Sequence, residues 1–432
     1  MSKKSKIKFQ APKGMKDILP EEQVYWQKIY QVVKNVSQAY GFLRIDTPIL
    51  EQTDLFVKGT GAATDIVEKE MYSFKTKGGD FLSLRPEFTP AIIRAYLENG
   101  LASWPPPVKL YTTGPIFRYE RPQAGRYRQH CQMDFEIIGE KDPVLDGQII
   151  QCFFAIFKEL GLKKINVQIN SIGCSNCRPA YRKRLVGYYR NKIRLICAHC
   201  RERFKKNPLR LLDCKELKCQ EIAEGAPQFI DYLCPECHGH FKSVLEFLDE
   251  LDLPYFLNNR LVRGLDYYTK TVFEFWPEEI EKKAQAALGG GGRYDNLVKL
   301  LGGRETPAVG CGAGIERIIS LMKAQGIKVP PKPLPRVFLI QLGGLAKRKS
   351  LKLFEELRRA GLSATESLSR DSITAQLKTA DRLAVKFSLI LGQKEALDDT
   401  IIIRDMSSGV QETVPLEKVI KEMKKRLKSH NS

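Results

Sequence analysis

The sequence predicts an α+β protein with three parts: a core rich in strands, a cysteine-rich basic insertion within that core, and a separate small α/β domain at the C-terminal end. Three observations carry this. Runs with the two-residue period of strands dominate the stretch that ends near residue 140. Between Cys174 and Cys237 the composition turns abruptly to cysteine, lysine and arginine, and ordinary patterns resume beyond it. The segment KVPPKPLP at 328–335 is stiff and poor in hydrogen-bond donors, as linkers are, and strands and helices alternate after it. The expected divisions are 1–330 for the core, 172–240 for the insertion inside it, and 335–432 for the C-terminal domain. A length of 432 residues agrees with two or three domains of about 150 residues each.

The elements follow in order. Residues 21–41 place Trp26, Ile29, Val32, Val33 and Val36 at helical spacing, with Gly41 set to end the helix. FLSLRP (81–86) and VKLYTTG (108–114) read as strands. FRYERPQAGRYRQHCQMDFEIIG (117–139) reads as a hairpin, two alternating arms about a Pro-Gln-Ala-Gly turn. A helix at 144–160 and a strand at 164–170 precede the insertion; FKSVLEFLDEL (241–251) and PYFLNNRLVRGLDYY (254–268) follow it. Val272, Phe273, Glu274 and Phe275 then alternate as a half-buried strand. AVGCGAGIERII (308–319) combines a glycine-rich strand with a helix that begins near Glu316 and Arg317. Beyond the linker, PRVFLIQL, KSLKLFEELRRAGL, ITAQLKTADRL, AVKFSLILG, DTIIIRDM and EKVIKEMKKRL alternate strand and helix.

Seventy Lys and Arg against 50 Asp and Glu give a formal net charge of +20, which favours a polyanionic partner. Twelve of these cations lie between Arg178 and Arg210 with one acid, Glu202, and with Tyr181, Tyr188 and Tyr189 among them. That stretch is expected to be a footprint for nucleic-acid phosphates. No apolar run approaches the ~18 residues of a membrane helix, and the start, MSKKSKIKFQAPKG, lacks the apolar stretch of a secretory signal. The expected location is the cytoplasm, with no membrane partner.

Several polar sets point to chemistry. In RGLDYYTKTVFEF (263–275), Arg263 can hold a carboxylate or phosphate by a two-pronged hydrogen bond, and Tyr267 and Tyr268 offer flat rings with polar tips, a kit for a small zwitterion. Arg118, Glu120, Arg121, Arg126 and Arg128 crowd the hairpin turn, and Gln132, Asp134 and Glu136 share one face of the returning arm. Such a face is either a binding surface or simply the wet side of a sheet. LRPEFTP adds Arg85, Glu87 and Thr89; AALGGGGRYDNLV sets four glycines before Arg293 and Tyr294. Neither glycine run has the spacing of a dinucleotide fingerprint or a phosphate loop, so close packing or close ligand approach is the expected use.

Of eleven cysteines, Cys131, Cys152 and Cys311 stand alone in strand or helix patterns, as core residues do. The other eight form Cys174-x-x-Cys177, Cys197-x-x-Cys200, Cys214-x4-Cys219 and Cys234-x-x-Cys237. This spacing suits thiolates on structural zinc, and a cytoplasmic setting argues against disulfides. Sequence does not fix which pairs share an ion. A nested scheme is expected, Cys174 and Cys177 with Cys234 and Cys237, and Cys197 and Cys200 with Cys214 and Cys219, because the two ends of an insertion leave and re-enter one scaffold.

Together these segments resemble the histidyl-tRNA synthetase family of the class II aminoacyl-tRNA synthetases. GFLRIDTPILE (41–51) is similar to motif 1 of that class, with Pro48 at the dimer interface; 117–139 is similar to motif 2 and 308–319 to motif 3; RGLDYY and GGGRYD match the histidine-specific signatures. The resemblance runs from about Lys13 to the C-terminus and implies an antiparallel catalytic sheet, a homodimer and a C-terminal anticodon-binding domain. It implies histidine, ATP with Mg²⁺, and histidine tRNA as partners in a two-step reaction through histidyl-adenylate. By carry-over, Arg118 and Arg263 are catalytic, and Arg118, Arg317 and Arg263 hold ATP. Glu87, Thr89 and Gln132 hold the amino and carboxylate end of histidine, Glu136 and Tyr268 meet its ring, and Tyr267 and Tyr294 complete the pocket. Arg121 and Gln123 approach the tRNA acceptor end. The family pattern LRPEGT is departed from at Phe88, which puts in question any close approach of backbone to substrate there; the ring is expected to point into the core from the opposite face of a strand. Two other readings remain: a synthetase-like regulatory subunit, against which the presence of every motif and of a C-terminal domain speaks, and a zinc-containing nucleic-acid binder, which leaves the pocket residues unexplained.

Overall fold

The computed structural model describes residues 9–121, 125–278, 287–331 and 334–429. Two compact units divide the chain, Met1–Val329 and Pro330–Ser432.

The first unit is organised by an eight-stranded sheet in the order Leu43–Arg44, Val108–Phe117, Gln129–Ile138, Ala308–Gly314, Gly289–Arg293, Thr269–Pro277, Ile165–Ser171, Tyr255–Leu257. The two edge pairs are parallel and every other pair is antiparallel. A hairpin forms, but its first arm is Val108–Phe117, read from sequence as a separate strand, which pairs from Val108↔Ile138 to Phe117↔Gln129; residues 118–121, expected as the first arm, lie beyond the strand in the connection. Its turn is longer than four residues, and 122–124 lie outside the described residues.

One face of the sheet carries the main hydrophobic core. Trp26, Ile29, Val33 and Val36 of the helix Gln23–Ala39 pack there with Ile149, Phe153 and Phe157 of Val144–Glu159, Val244 and Leu248 of Pro235–Glu250, and Ile318 and Met322 of Ile315–Ala324. The opposite face is covered by the helix Thr89–Glu98 and by the insertion, whose Tyr181, Leu185, Tyr189 and cysteines join Tyr267, Tyr268 and Tyr294 in a second core. Both faces are therefore occupied, so the strand Thr269–Pro277, expected to be half-buried, is buried on both sides through Phe275 apart from Glu274.

The tyrosines interleaved with the insertion's cations turn inward. Tyr181 and Tyr189 are fully buried within it, and the hydroxyls of Tyr181 and Tyr188 donate to the carbonyls of Pro227 at 2.9 Å and Ile222 at 2.7 Å. An insertion this short needs its aromatic rings for its own small core, so they are not a stacking platform. Phe88 also differs in its local setting. It lies past the end of the strand Phe81–Leu84, at the entrance of the helix Thr89–Glu98, with ordinary helical backbone (φ −97°) and its ring fully buried beneath the Arg85 guanidinium.

The second unit holds a five-stranded sheet in the order Ala364–Glu366, Val337–Gln341, Phe387–Leu391, Thr400–Asp405, Gln411–Pro415. The first three strands are parallel and the last two antiparallel. Helices Gly344–Arg359, Ile373–Arg382 and Val419–Ser429 accompany it. The strands at 364–366 and 411–415 are short and largely polar, which is why alternation did not mark them.

Candidate active site

Three strands, Gln129–Ile138, Ala308–Gly314 and Gly289–Arg293, lie side by side at the centre of the large sheet. Over them opens a cleft of about 560 Å³, lined by Arg118, Gln132, Arg263 and Arg317 and floored by Gly289, Gly290, Gly312 and Gly314. Gly310 and Gly312 are required by close approach. They sit opposite Glu136 and Asp134, and a Cβ at either would collide with the facing carboxylate. The glycine-rich strand leaves room for acids on its neighbour.

Each cleft arginine is fixed from behind. Arg118 Nε donates to the Pro86 carbonyl at 2.8 Å, and Arg317 donates to the carbonyls of Gly125 at 3.2 Å and Ala287 at 2.7 Å. Burial, with the charges of Arg126 and Arg118 nearby, lowers the pKa of Arg317. Arg263 donates to Glu274, whose other oxygen accepts from Trp276 Nε1 at 3.1 Å. His130 also lines the cleft; burial and the charges of Arg118 and Arg317 push its pKa down to about 3, so it is neutral. Cations converging with their forks held in place form a ready receptor for a polyphosphate.

Behind the cleft lies a buried set of acids, phenols and threonines. Glu87 accepts from Tyr267 at 2.7 Å and from Thr60. Glu136 accepts from Thr89 at 2.6 Å and from Tyr294. Burial pushes the Glu136 carboxyl up to about 7, against the opposing pull of the Thr89 and Tyr294 hydrogen bonds. Burial likewise raises Glu87, and raises Asp134 well above the carboxylate range, with Glu136 and Glu87 adding to the latter. Tyr267 packs on Tyr268 with ring centroids 4.7 Å apart and edge-on to Tyr294 at 5.6 Å. The phenol bonded to Glu136 is that of Tyr294, while Tyr268 lies beneath Arg263.

The insertion supplies a wall of the cleft. Arg203 and Arg210 each donate to Asp65 Oδ2, at 2.9 and 3.0 Å, and His199 lies 3.5 Å from Oδ1. Burial opposes the charge on Asp65, but the two guanidinium groups outweigh it and the pKa is lowered. Arg210 also donates to the Gly264 carbonyl at 3.1 Å, next to Arg263, and Asn207 donates to Asp266 at 2.9 Å.

The eight insertion cysteines gather as two tetrads, Cys174, Cys177, Cys234 and Cys237, and Cys197, Cys200, Cys214 and Cys219, each with its sulfurs within 4.8 Å of one another. This is the nested grouping. The Cys174–Cys177 and Cys197–Cys214 sulfurs are 3.7 and 3.9 Å apart. A disulfide needs ~2.05 Å, whereas a tetrahedral ion with ~2.3 Å bonds to sulfur spaces its ligands about 3.8 Å apart. Backbone N–H groups of Cys234 and Cys197 donate to Cys177 and Cys219 sulfurs at 3.2 Å, as they do to thiolates. Cys197 and Cys214 lie on the cleft wall.

Of the residues singled out from sequence, Arg118, Gln132, Arg263 and Arg317 meet in the cleft, and Glu87, Thr89, Glu136, Tyr267, Tyr268 and Tyr294 form the buried set behind it. Arg121 is exposed, and Gln123 lies outside the described residues. Sequence reasoning missed His130 and the Asp65 anchor, which is distant in sequence from the arginines it binds. It also missed Glu274 as the partner of Arg263, although the period that put Glu274 on the opposite face from Phe273 and Phe275 was its signal.

Comparison with known proteins identifies the family. The family model for histidyl-tRNA synthetase matches residues 14–176 and 221–318, and that for an anticodon binding domain matches 336–426. A histidine–tRNA ligase of Dehalococcoides mccartyi is 48% identical over 419 residues, 97% of this chain and 100% of the relative. One of Desulforamulus reducens is 45% identical over 415 residues, 96% and 99% of the two chains. The crystal structure of apo histidyl-tRNA synthetase from S. aureus superposes with a TM-score of 0.78 at 33% identity, covering 96% of this chain and 99% of that one. The fold is thus that of a class II aminoacyl-tRNA synthetase, an enzyme that ligates an amino acid to tRNA. Within that class the chain belongs to the histidyl-tRNA synthetase family.

Proposed function

We propose that the cleft joins histidine to ATP and then to histidine tRNA. In the first step a carboxylate oxygen of histidine bonds to the α-phosphorus of ATP as the bond from that phosphorus to the bridging oxygen breaks, giving histidyl-adenylate and pyrophosphate. In the second, a ribose hydroxyl of the terminal tRNA adenosine attacks the activated carbonyl and AMP leaves. No side chain needs to act as nucleophile, so the work is positioning and charge stabilisation. The observation that carries this reading is the convergence of Arg118, Arg263 and Arg317 on one cleft whose far end opens onto a buried set of acids and phenols.

Arg118 and Arg317 grip the ATP phosphates, and Arg263 bridges the histidine carboxylate and the α-phosphate, where charge accumulates. Mg²⁺ supplies further neutralisation of the polyphosphate when bound. Gln132, Glu87 and Thr89 take the amino and carboxylate end of histidine. Glu136 and the phenol of Tyr268 address the ring nitrogens, and Tyr267 and Tyr294 enclose it. A neutral imidazole has one donor and one acceptor, and a carboxylate with a phenol answers both.

The remaining assignments share this basis. Arg121 and Gln123 meet the acceptor end, and the unit 330–432 binds the anticodon, in line with the family model it matches. The core is taken as 1–330 with the insertion at 172–240. Each cysteine tetrad holds a structural zinc, a fit supported by the sulfur spacing. The enzyme works as a cytoplasmic homodimer with Pro48 at the subunit contact; no described helix is long and apolar enough to cross a membrane.

The test is pyrophosphate exchange with ATP and Mg²⁺, run with each of the twenty amino acids. Exchange with histidine alone is the expected result. A folded protein that binds histidine but gives no exchange would favour a regulatory role.

A further inference from the structure

Three carboxylates face the buried pocket, and two of them are provided for. Glu87 has Thr60 and Tyr267 as donors, and Glu136 has Thr89 and Tyr294. Asp134 is different. It is 7% exposed, it shares a strand face with Gln132 and Glu136, and its Oδ2 has no hydrogen-bond partner among the described residues. Neither nearby cation is bonded to it among the described residues: Arg85 donates to the carbonyls of Thr47 at 2.6 Å and Pro115 at 2.9 Å, and Arg118 Nε to that of Pro86. Space for this acid is nevertheless kept open, because a Cβ on Gly312 opposite it would collide with Oδ1. A buried carboxyl oxygen without a donor is unfavourable in the free protein, and the deficit disappears when a ligand brings one.

The position of Asp134 says which ligand group would fit. Gln132, two residues toward the turn, lines the cleft where the phosphates go; Glu136, two residues the other way, lies at the closed end with Tyr294 and Thr89. Asp134 stands midway on the same face. In histidine the group between the carboxylate and the ring is the α-carbon with its ammonium, a cation with three donors.

We propose that Asp134 receives the α-ammonium of the amino-acid substrate and so determines specificity for ligands that carry a cationic amine. It rests on the reading that this pocket binds histidine. Glu87 remains close by, but two of its acceptor positions are taken by Thr60 and Tyr267, and Asp134 supplies the open ones. The ammonium thereby also shields Asp134 from the like charge of its two neighbours.

Calorimetric titration of the full chain with L-histidine and with imidazole-lactate, which has a hydroxyl where histidine has its ammonium, separates the possibilities. Asp134→Asn keeps the shape and removes the charge. The expected outcome is a loss of about 10- to 100-fold in histidine affinity, the range for a hydrogen bond to a charged group, with the affinity for imidazole-lactate changed less than about threefold. Equal weakening of both ligands would assign Asp134 a packing role, and unchanged histidine affinity would remove it from recognition; either overturns the proposal. Gly312→Ala, which displaces the carboxylate without removing it, is the second variant and should also weaken histidine more than the lactate. If the unaltered protein does not bind histidine, it is the reading of the pocket that fails, and this proposal fails with it.

Discussion

Tyr294 donates its phenolic hydrogen to Glu136 at the closed end of the pocket, with Thr89 donating to the other oxygen. Both bonds favour the ionised carboxylate and burial opposes it, and burial wins, holding the group at about 7 against 4.5 when unburied. In the free enzyme this sets a pH dependence of stability. Between pH 4.5 and about 7 the unfolded chain is ionised and the folded one still protonated, so stability is full at the acid end and declines as pH rises through this window, by about 3 kcal/mol in total. Tyr294→Phe removes one opposing bond and raises the group further. The acid limb of histidine-dependent exchange should then move to higher pH, with activity at pH 6 several-fold below that of the unaltered enzyme. A limb that stays in place would show that Glu136 ionisation does not control binding.

Arg263 is partly buried, paired with Glu274 and lying over the Tyr268 ring, and its neighbour Gly264 is held by Arg210. Replacing it by Ala should lower the rate of adenylate formation about 10²- to 10³-fold, the range for a preorganised donor to developing charge. Affinity for tRNA, measured by filter binding, should change less than about twofold. A parallel fall in both would point to lost structure.

Asp65 gathers three cationic or potentially cationic side chains of the insertion, Arg203, Arg210 and His199. Asp65→Ala leaves Arg203 and Arg210, both mostly buried, without their shared anion. Discounted for the partial exposure of Asp65, the cost should be about 2 kcal/mol. Limited proteolysis should open the insertion near residues 190–220 sooner, while the melting of 330–432 as a unit stays the same.

Metal analysis of the purified protein should give two zinc ions per chain. Cys214→Ser should retain one, and so should Cys177→Ser, because the tetrads share no ligand. Stripping by a chelator should lower the melting temperature, since ion binding and folding of such tetrads are one equilibrium. A stoichiometry of zero from cells grown with zinc would remove the ions from the fold.

A chain ending at Val329 corresponds to the first compact unit. It should keep histidine-dependent exchange within about threefold and lose most tRNA charging. Equal loss of the two activities would count against an anticodon role for 330–432.

Much of this was legible because local pattern and tertiary use agree. The helix at 21–41, the returning arm at 129–138 and the glycine strand entering a helix at 315 are all found within a few residues, since each buries a periodic face against the large sheet; the outgoing arm is instead 108–117, because the arginine-rich run after Phe117 has no apolar face to bury. The polar alternation of Gln132, Asp134 and Glu136 left two readings open from sequence, and burial of Asp134 and Glu136 decides against a wet face. What could not be read was contact across long separations. Nothing near Asp65 announces Arg210, and nothing in the insertion announces that Cys214 would line the cleft. Nor did the tyrosines near 181–189 announce the miniature core they join, because interleaved aromatic and basic residues suit an exposed face as well as a buried one, and only the packing against Phe229 and the cysteines separates the two.

The cleft wall built by the insertion bears on inhibitor design. Residues 177–220 fall between the two matched segments of the family model, yet His199, Arg203 and Lys215 from that interval border the same cleft as Arg118 and Arg317. A nucleotide mimic confined to the arginines touches what the family model describes. One extended toward His199 and Lys215 touches a surface outside it, and selectivity among related synthetases can be sought there without giving up the anchor.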